Sequence, residues 1–397
     1  MASAHWPWSK QAQAAAGNVS ALGTMVLSSA SLGSDPYVPM KSGVRRRYVT
    51  LDLLRGEAAI GVMLFHNCVG IVQSGYLAVD LFFVLSGFVI ALSYEDRLQD
   101  GLAKSSFFLA RFIRLWPMIA VGSILGLLAG LAHYEMHSGN LQTLGLQFLA
   151  SLVLFPDLLE TGDLFPLNTV FWSLLFEVIV NAIYAGWFYG RPARVASIVL
   201  VVVSAICVVI EPESRMLTLF VRALLGFFMG VLAYRVYKSF KLPAVKHGAI
   251  LCSVAIILIL VIPTPEKQTG VLFLFVDALF FAVVLIAAKS DATVSDRASI
   301  FCQWIGDISY PIYAIHRPLF YFFSVIIVRL THGLAAYNLA ALIASAVTVI
   351  VSSALLRLFD QPVRRYLTDL TRPMGSRPKQ LERSIASRKL PTAQSLD

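Results

Sequence analysis

Four ionisable side chains interrupt an apolar run near the start of the chain. The run, YVTLDLLRGEAAIGVMLFHNCVGIVQ over residues 48–73, carries Asp52, Arg55, Glu57 and His66. Each such group costs roughly 2.5–3.5 kcal/mol at the centre of a membrane span, which marks all four as functional candidates. At about 100° per residue, Arg55 and His66 differ by roughly 20° around a helix, and Asp52 and His66 by roughly 40°. These three share a face, while Glu57 points away from His66. Arg55 and His66 stand roughly 16 Å apart along the axis. One extended ligand spans that distance; a direct contact does not.

Four further segments carry polar groups in apolar surroundings. In GYLAVDLFFVLSGFVIALSY, Asp80 and Gly87 share a face, and the structural role open to Asp80 is to pair a cation or to cap a neighbouring helix. In FFLARFIRLWPM, Arg111 and Arg114 stand at i and i+3 near the cytoplasmic surface. They are either topological anchors or a fork for phosphate groups. The segment NTVFWSLLFEVIVNAIYAGW carries a stripe of Ser173, Glu177, Asn181 and Tyr184. A stripe with an ionisable centre faces the protein interior or a watery cavity, or bonds helix to helix. Last, WIGDISYPIYAIHRPLFYFF holds Ser309, Tyr310, Tyr313, His316 and Arg317, with Pro311 and Pro318 expected to bend or interrupt the helix. His316 is structural or reactive. The set suits proton transfer combined with anion binding across a membrane. The residues alone do not separate an enzyme from a transporter.

The elements that must position these groups follow from composition. The chain has 397 residues, 57% hydrophobic and 14% charged, the composition of an integral membrane protein. Its net charge of +9 comes from basic residues beside the spans and in the tail. Such residues set orientation and meet the anionic inner leaflet, so nucleic acid is not an expected partner. Cys68, Cys207, Cys252 and Cys302 are scattered in apolar segments without CxxC or zinc spacing, and no metal is expected.

Residues 1–47 are rich in Ala, Ser and Gly and lack a charged n-region or a convincing cleavage site, which argues against a signal peptide. They read as a disordered cytoplasmic arm ending in Arg45–Arg47, with Met40 as an alternative start. Segments of spanning length follow near 51–72, 75–94, 107–132, 168–189, 194–210, 215–236, 247–263, 270–288, 308–330 and 335–357, with a shorter one at 143–156. If 143–156 crossed, Arg191 and Arg194 would fall outside and the acidic loop Asp157/Glu160/Asp163 inside, against the positive-inside tendency. The expected fold is therefore an all-α bundle of about ten transmembrane helices, with both termini cytoplasmic. One short non-spanning helix lies in a large external loop. Residues 367–397 form a polar, basic, disordered cytoplasmic tail beside the membrane. No inverted repeat of the transporter kind is visible.

The residues also resemble a known family. LDLLRGEAAIGVMLFH resembles the opening signature of the membrane-bound acyltransferase 3 family, in which an Arg and a His are separated by ten residues, here Arg55 and His66. VDLFFVLSGFVI is similar to its second motif and RFIRLWP to its Arg-x-x-Arg element. FWSLLFEVIVNAIY resembles its Trp–Ser–Leu…Glu…Tyr element and ISYPIYAIHRPL its late Ser-Tyr…His element. The likeness covers a domain over residues 48–366. Two departures stand out: Glu57 occupies a usually apolar position, and Asp360 in FDQPVRR stands where the family often has Glu.

The resemblance implies O-acyl transfer, typically of acetyl, from a cytoplasmic acyl-coenzyme A to a glycan hydroxyl, in a multi-pass protein of the inner membrane. It implies His66 as general base or covalent acyl acceptor, with Arg55, Glu177 and His316 beside it in the chemistry. Arg55, Arg111 and Arg114 would bind the donor's phosphates. Asp80, Trp172, Tyr184 and Tyr310 would contact the acceptor. The rival from another class is a transporter or flippase of an anionic glycan or lipid-linked sugar, with no acyl transfer. A receptor or scaffold leaves the buried charges without a use.

Overall fold

The computed structural model describes residues 47–67, 72–137, 140–157, 163–190, 193–241, 243, 245–265, 269–290, 294–331 and 337–371. The expected arm before Arg47, the tail beyond Thr371, Cys68 and the loop residues Glu160, Arg191, Glu266 and Lys267 lie outside the described residues. Every regular element among the described residues is helical. They are α1 (Val49–His66), α2 (Ala78–Gln99), α3 (Lys104–His137), α4 (Leu141–Leu152), α5 (Phe171–Trp187) and α6 (Ala193–Ile210). There follow α7 (Arg215–Ser239), α8 (Gly248–Val261), α9 (Gly270–Ser290), α10 (Asp296–Thr331), α11 (Tyr337–Leu355) and α12 (Gln361–Thr371). A 3-10 turn, Gly75–Leu77, leads into α2, and a π-helical turn, Leu356–Asp360, joins α11 to α12.

Each apolar segment anticipated from the sequence carries a helix, but the count of about ten spans is not established by length and apolarity. Those criteria select 6 helices: Gly75–Gln99, Lys104–Ala132, Ala193–Ile210, Arg215–Ser239, Gly270–Ser290 and Ala341–Thr371. α5 and α8 are short, and α1 and α10 carry the ionisable groups that lower their hydropathy. Helix α4, capped by Asn140 Oδ1 accepting from Gln142 N at 2.9 Å, has 12 residues. At about 1.5 Å per residue it is roughly 18 Å long, short of a bilayer core of about 30 Å.

Pairing partners fix the helix directions. Asp80 meets Arg222 and Glu95 meets Arg235, so α2 and α7 run parallel. Ser86 meets Glu177 and Glu95 meets Tyr184, so α5 is parallel to α2 as well. If α3, α5, α6 and α7 each cross in turn, these directions require that α4 does not.

Two helix pairs form the centre. The shared face of Asp80 and Gly87 packs on α7. Arg222 donates to both carboxylate oxygens of Asp80, Nε to Oδ1 at 3.1 Å and Nη2 to Oδ2 at 2.7 Å. A Cβ added to Gly87 would lie 1.8 Å from the Phe227 carbonyl oxygen, and one added to Gly230 would lie 2.0 Å from that of Val84. Glycine lets the backbones meet. The second pair is α1 with α10, where a Cβ on Gly306 would fall 2.9 Å from Asp52 Cα. On its other side α10 meets α3, with Gly122 facing the Ala314 carbonyl; a Cβ there would lie 2.6 Å from that oxygen.

Candidate active site

α1 stops sooner than the apolar run 51–72 suggests. It ends at His66, with Asn67 as C-cap; the Asn67 N–H bonds to Met63 O, and buried Asn67 Nδ2 donates to Ser345 Oγ at 2.7 Å. His66 is therefore the last residue of a helix rather than a mid-span side chain. Opposite it, α10 continues unbroken through Pro311 and Pro318, which the sequence reading expects to bend or interrupt it. A proline at 318 has no N–H for the carbonyl of Ala314. Asn168 Nδ2 donates to that oxygen at 2.8 Å and satisfies it.

These two features bring the histidines together. His66 Nδ1 lies 2.9 Å from His316 Nε2, and the rings stack with centroids 5.2 Å apart. His316 is fully buried, and its Nδ1 lies 3.1 Å from Ile312 O and 2.9 Å from Tyr313 O. Carbonyl oxygens only accept, so His316 Nδ1 carries the proton. In a neutral ring its Nε2 then accepts, and His66 Nδ1–H is the donor. The lone pair of His66 is thereby assigned to Nε2, the nitrogen directed away from the pair. Arg317 braces the same corner. Its Nη1 donates to His66 O at 3.3 Å, its Nε to Thr169 Oγ1 at 3.3 Å and its Nη2 to the Tyr321 hydroxyl at 2.5 Å.

The arginines gather elsewhere. A cavity of about 230 Å³ is bounded by Arg55, Arg111, Arg114, Glu177, Ser86 and Tyr310 among others. Arg111 is paired with Glu177, which also accepts from Ser86 Oγ at 3.2 Å. Arg114 lies over the ring of Tyr310, centroid distance 5.4 Å, and the Tyr310 hydroxyl donates to Leu115 O at 2.5 Å. Arg111 Nε and Arg114 Nη1 are buried with no hydrogen-bond partner among the described residues. Both residues line the cavity, and guanidinium groups suit an anionic ligand there. Asp360, buried in the π-helical turn, pairs with Arg364 at 2.9 Å and lies near Arg114.

Other expected residues lie apart. Asp52 is bound mainly to Arg47, at 2.5 Å, with Arg55 at 3.9 Å; Arg47 also reaches Asp307 at 2.7 Å. Glu57 turns toward Ser253 on α8, away from His66. Asp80 is committed to Arg222. Trp172 packs edge-on against Phe176 and beside Phe83. Tyr184 is buried, its hydroxyl donating to Glu95 Oε2 at 3.2 Å, and Arg235 holds the same carboxylate while donating to Ser197 Oγ and Phe188 O at 2.9 Å. The stripe on α5 is thus divided: Ser173 and Glu177 line the cavity, and Tyr184 belongs to a closed network.

Outside the helices, burial pushes the carboxyl of Asp163 up from the usual range, against the pull of Arg215, 3.6 Å away, and of Arg317. Two residues took no part in the expected site. Arg317 reaches His66 through its carbonyl, and Tyr313 lines the cavity with its ring 5.9 Å from that of His316. The spacing of three from Tyr310 to Tyr313 to His316 was a usable signal for the second.

A family model described as an acyltransferase domain matches residues 48–357. Protein 2 in the picA locus of Rhizobium radiobacter is 35% identical over 192 residues, 43% of this chain and 97% of that protein. Exopolysaccharide production protein ExoZ of Rhizobium meliloti is 29% identical over 255 residues, 61% of this chain and 75% of that protein. Peptidoglycan O-acetyltransferase OatA of Listeria monocytogenes is 37% identical over 79 residues, 19% of this chain and 13% of that protein. No solved structure matches the chain.

Proposed function

Because the chain belongs to the acyltransferase-domain family, we propose that it is a membrane O-acetyltransferase whose donor is acetyl-coenzyme A and whose acceptor is a hydroxyl of a cell-surface or lipid-linked glycan. The observation that carries this reading is the histidine pair, with its assigned tautomers, beside a cavity lined by three arginines. The relatives named for exopolysaccharide production and peptidoglycan O-acetylation support a polysaccharide acceptor.

Arg55, Arg111 and Arg114, which line the cavity, take the donor's phosphates. Glu177 holds Arg111 in place. The thioester end of the pantetheine arm extends toward His66, a span that suits roughly 16 Å between Arg55 and His66. His66 Nε2 removes the acceptor proton as the hydroxyl oxygen attacks the acyl carbon. The carbon–sulfur bond breaks, and the thiolate recovers the proton from the imidazolium. His316 acts through His66 as a positioning residue, since its protonated Nδ1 fixes which nitrogen of His66 is basic. Tyr310 shapes the arginine end of the cavity. The donor cavity opens toward the cytoplasm and both termini lie there; about ten helices cross an inner membrane, and α4 lies at the opposite surface.

The test is mass spectrometry of surface glycans from cells with the gene, without it, and with His66→Asn. Acetyl esters should be present only with the intact gene. Identical glycans in all three, with donor hydrolysis absent from purified protein, would leave the transporter alternative.

A further inference from the structure

The cavity that holds the arginines is bounded at its other end by Phe82, Ser173 and Tyr313, and neither histidine belongs to its wall. Tyr313 lines the cavity and meets Phe82 there, with ring centroids 5.4 Å apart; the same ring lies 5.9 Å from His316. One aromatic ring therefore touches both the arginine cavity and the histidine pair. That ring is latched. The Tyr313 hydroxyl lies 2.5 Å from Ser173 Oγ and 3.4 Å from Val170 O, and Ser173 Oγ lies 3.0 Å from the same carbonyl. Whichever hydroxyl donates to Val170 O, the Tyr313 O–H has an acceptor in Ser173 or in that carbonyl. The tyrosine proton is used up in this chain, so the hydroxyl locks the ring and has no second proton for a substrate.

We propose that Tyr313 is a gate between donor cavity and histidine pair, latched by Ser173, which must swing aside before an acyl arm reaches His66. This rests on the cavity being the donor site. The use of such a gate is chemical. An acyl thioester held against a basic imidazole reacts with whatever hydroxyl is present, water included. In that leak, water adds to the acyl carbon, the carbon–sulfur bond breaks, and a carboxylic acid and a thiol leave. A closed ring keeps the thioester from the base until transfer is due, the exclusion of side reactions that closure of an active site commonly provides.

The experiment uses the full chain in lipid nanodiscs as wild type, Tyr313→Phe, Tyr313→Ala and Ser173→Ala. Diethyl pyrocarbonate modification of His66 and His316 is followed by peptide mass spectrometry, with and without coenzyme A. Hydrolysis of acetyl-coenzyme A without acceptor is followed in parallel. In wild type, coenzyme A should leave the modification rate at His66 unchanged. In Tyr313→Ala the rate should rise several-fold, and coenzyme A should suppress the rise. Tyr313→Phe, which removes the latch, and Ser173→Ala, which leaves only the longer bond to Val170 O, both keep the ring; they should fall between and should raise acceptor-free hydrolysis. These two guard against a Tyr313→Ala protein that does not fold. Modification of wild-type His66 already suppressed by coenzyme A, or equal rates in every folded variant, overturns the gate. If the modification pattern appears but no variant hydrolyses any acyl-coenzyme A, the partition stands and the donor reading falls instead.

Discussion

His66 and His316 meet nitrogen to nitrogen, 2.9 Å apart, across helices α1 and α10, and the outer nitrogen of His316 is anchored on two carbonyls of its own helix. The pair thus has a direction. The first prediction uses it. His316→Gln, whose side-chain carbonyl can still accept from His66 Nδ1–H, should keep most of the activity, and His316→Leu should lose much of it. His66→Asn should lose about 10²–10⁴-fold, the usual contribution of a general base. The check is kcat against pH for each variant: a structural role for His316 would lower the amount of folded enzyme and leave the profile of the remainder unmoved.

Arg111 and Arg114 should behave differently, though they are one turn apart. Arg111 is bound to Glu177, and the two side chains retain 19% and 20% of their exposure. Arg111→Ala leaves a carboxylate without its partner, at a cost toward the low end of about 3–5 kcal/mol for breaking a buried pair. Arg111→Ala should lower thermal stability and Arg111→Ala with Glu177→Gln should restore part of it. Arg114→Ala should melt close to wild type and bind acetyl-coenzyme A more weakly. Thermal melts and calorimetric donor titrations decide; donor affinity unchanged from wild type in both single arginine variants and in the variant that combines them would reduce the arginines to topological anchors.

Topology is the third. If α3, α5, α6 and α7 all span, the parallel course of α2, α5 and α7 requires α4 not to cross. Single cysteines at Asn140 and Phe155, on either side of α4, should label from the same face of the membrane with an impermeant maleimide. Labelling from opposite faces would make α4 a span and shift every later helix.

The fourth concerns the α2–α7 contact. Gly87→Ala and Gly230→Ala each place a methyl group about 2 Å from a carbonyl oxygen of the other helix. Both should strongly reduce the yield of folded protein in fluorescence size-exclusion chromatography. Wild-type yield from either would mean that the helices can separate there at little cost.

Much of this was legible in the chain. The shared face of Asp80 and Gly87 was read from their spacing, and the cation expected to pair with Asp80 is Arg222 on α7. The meeting of His66 with His316 was not legible, because it joins positions 250 residues apart and no periodicity encodes that. Nor was the end of α1, since the sequence stays apolar past His66 and the helix stops where Asn67 finds Ser345. Pro318 read as a helix breaker because the partner for the Ala314 carbonyl, Asn168, comes from before α5. On α5 a continuous stripe suggested one site. Glu95 and Arg235 on other helices claim Tyr184, so the stripe serves two.

The glycine contacts along α10 bear on how the protein can move. Gly306 brings its backbone against α1 and Gly122 brings α3 against it from the other side, both with no room for a methyl group. At both contacts α10 lies backbone to backbone against its neighbour. What remains free to turn is side chains, whose rotations need no shift of the helices that carry them. On the proposed reading, the moving part is then a side chain inside closely packed helices, and an acyl arm passes while the backbone stays in place.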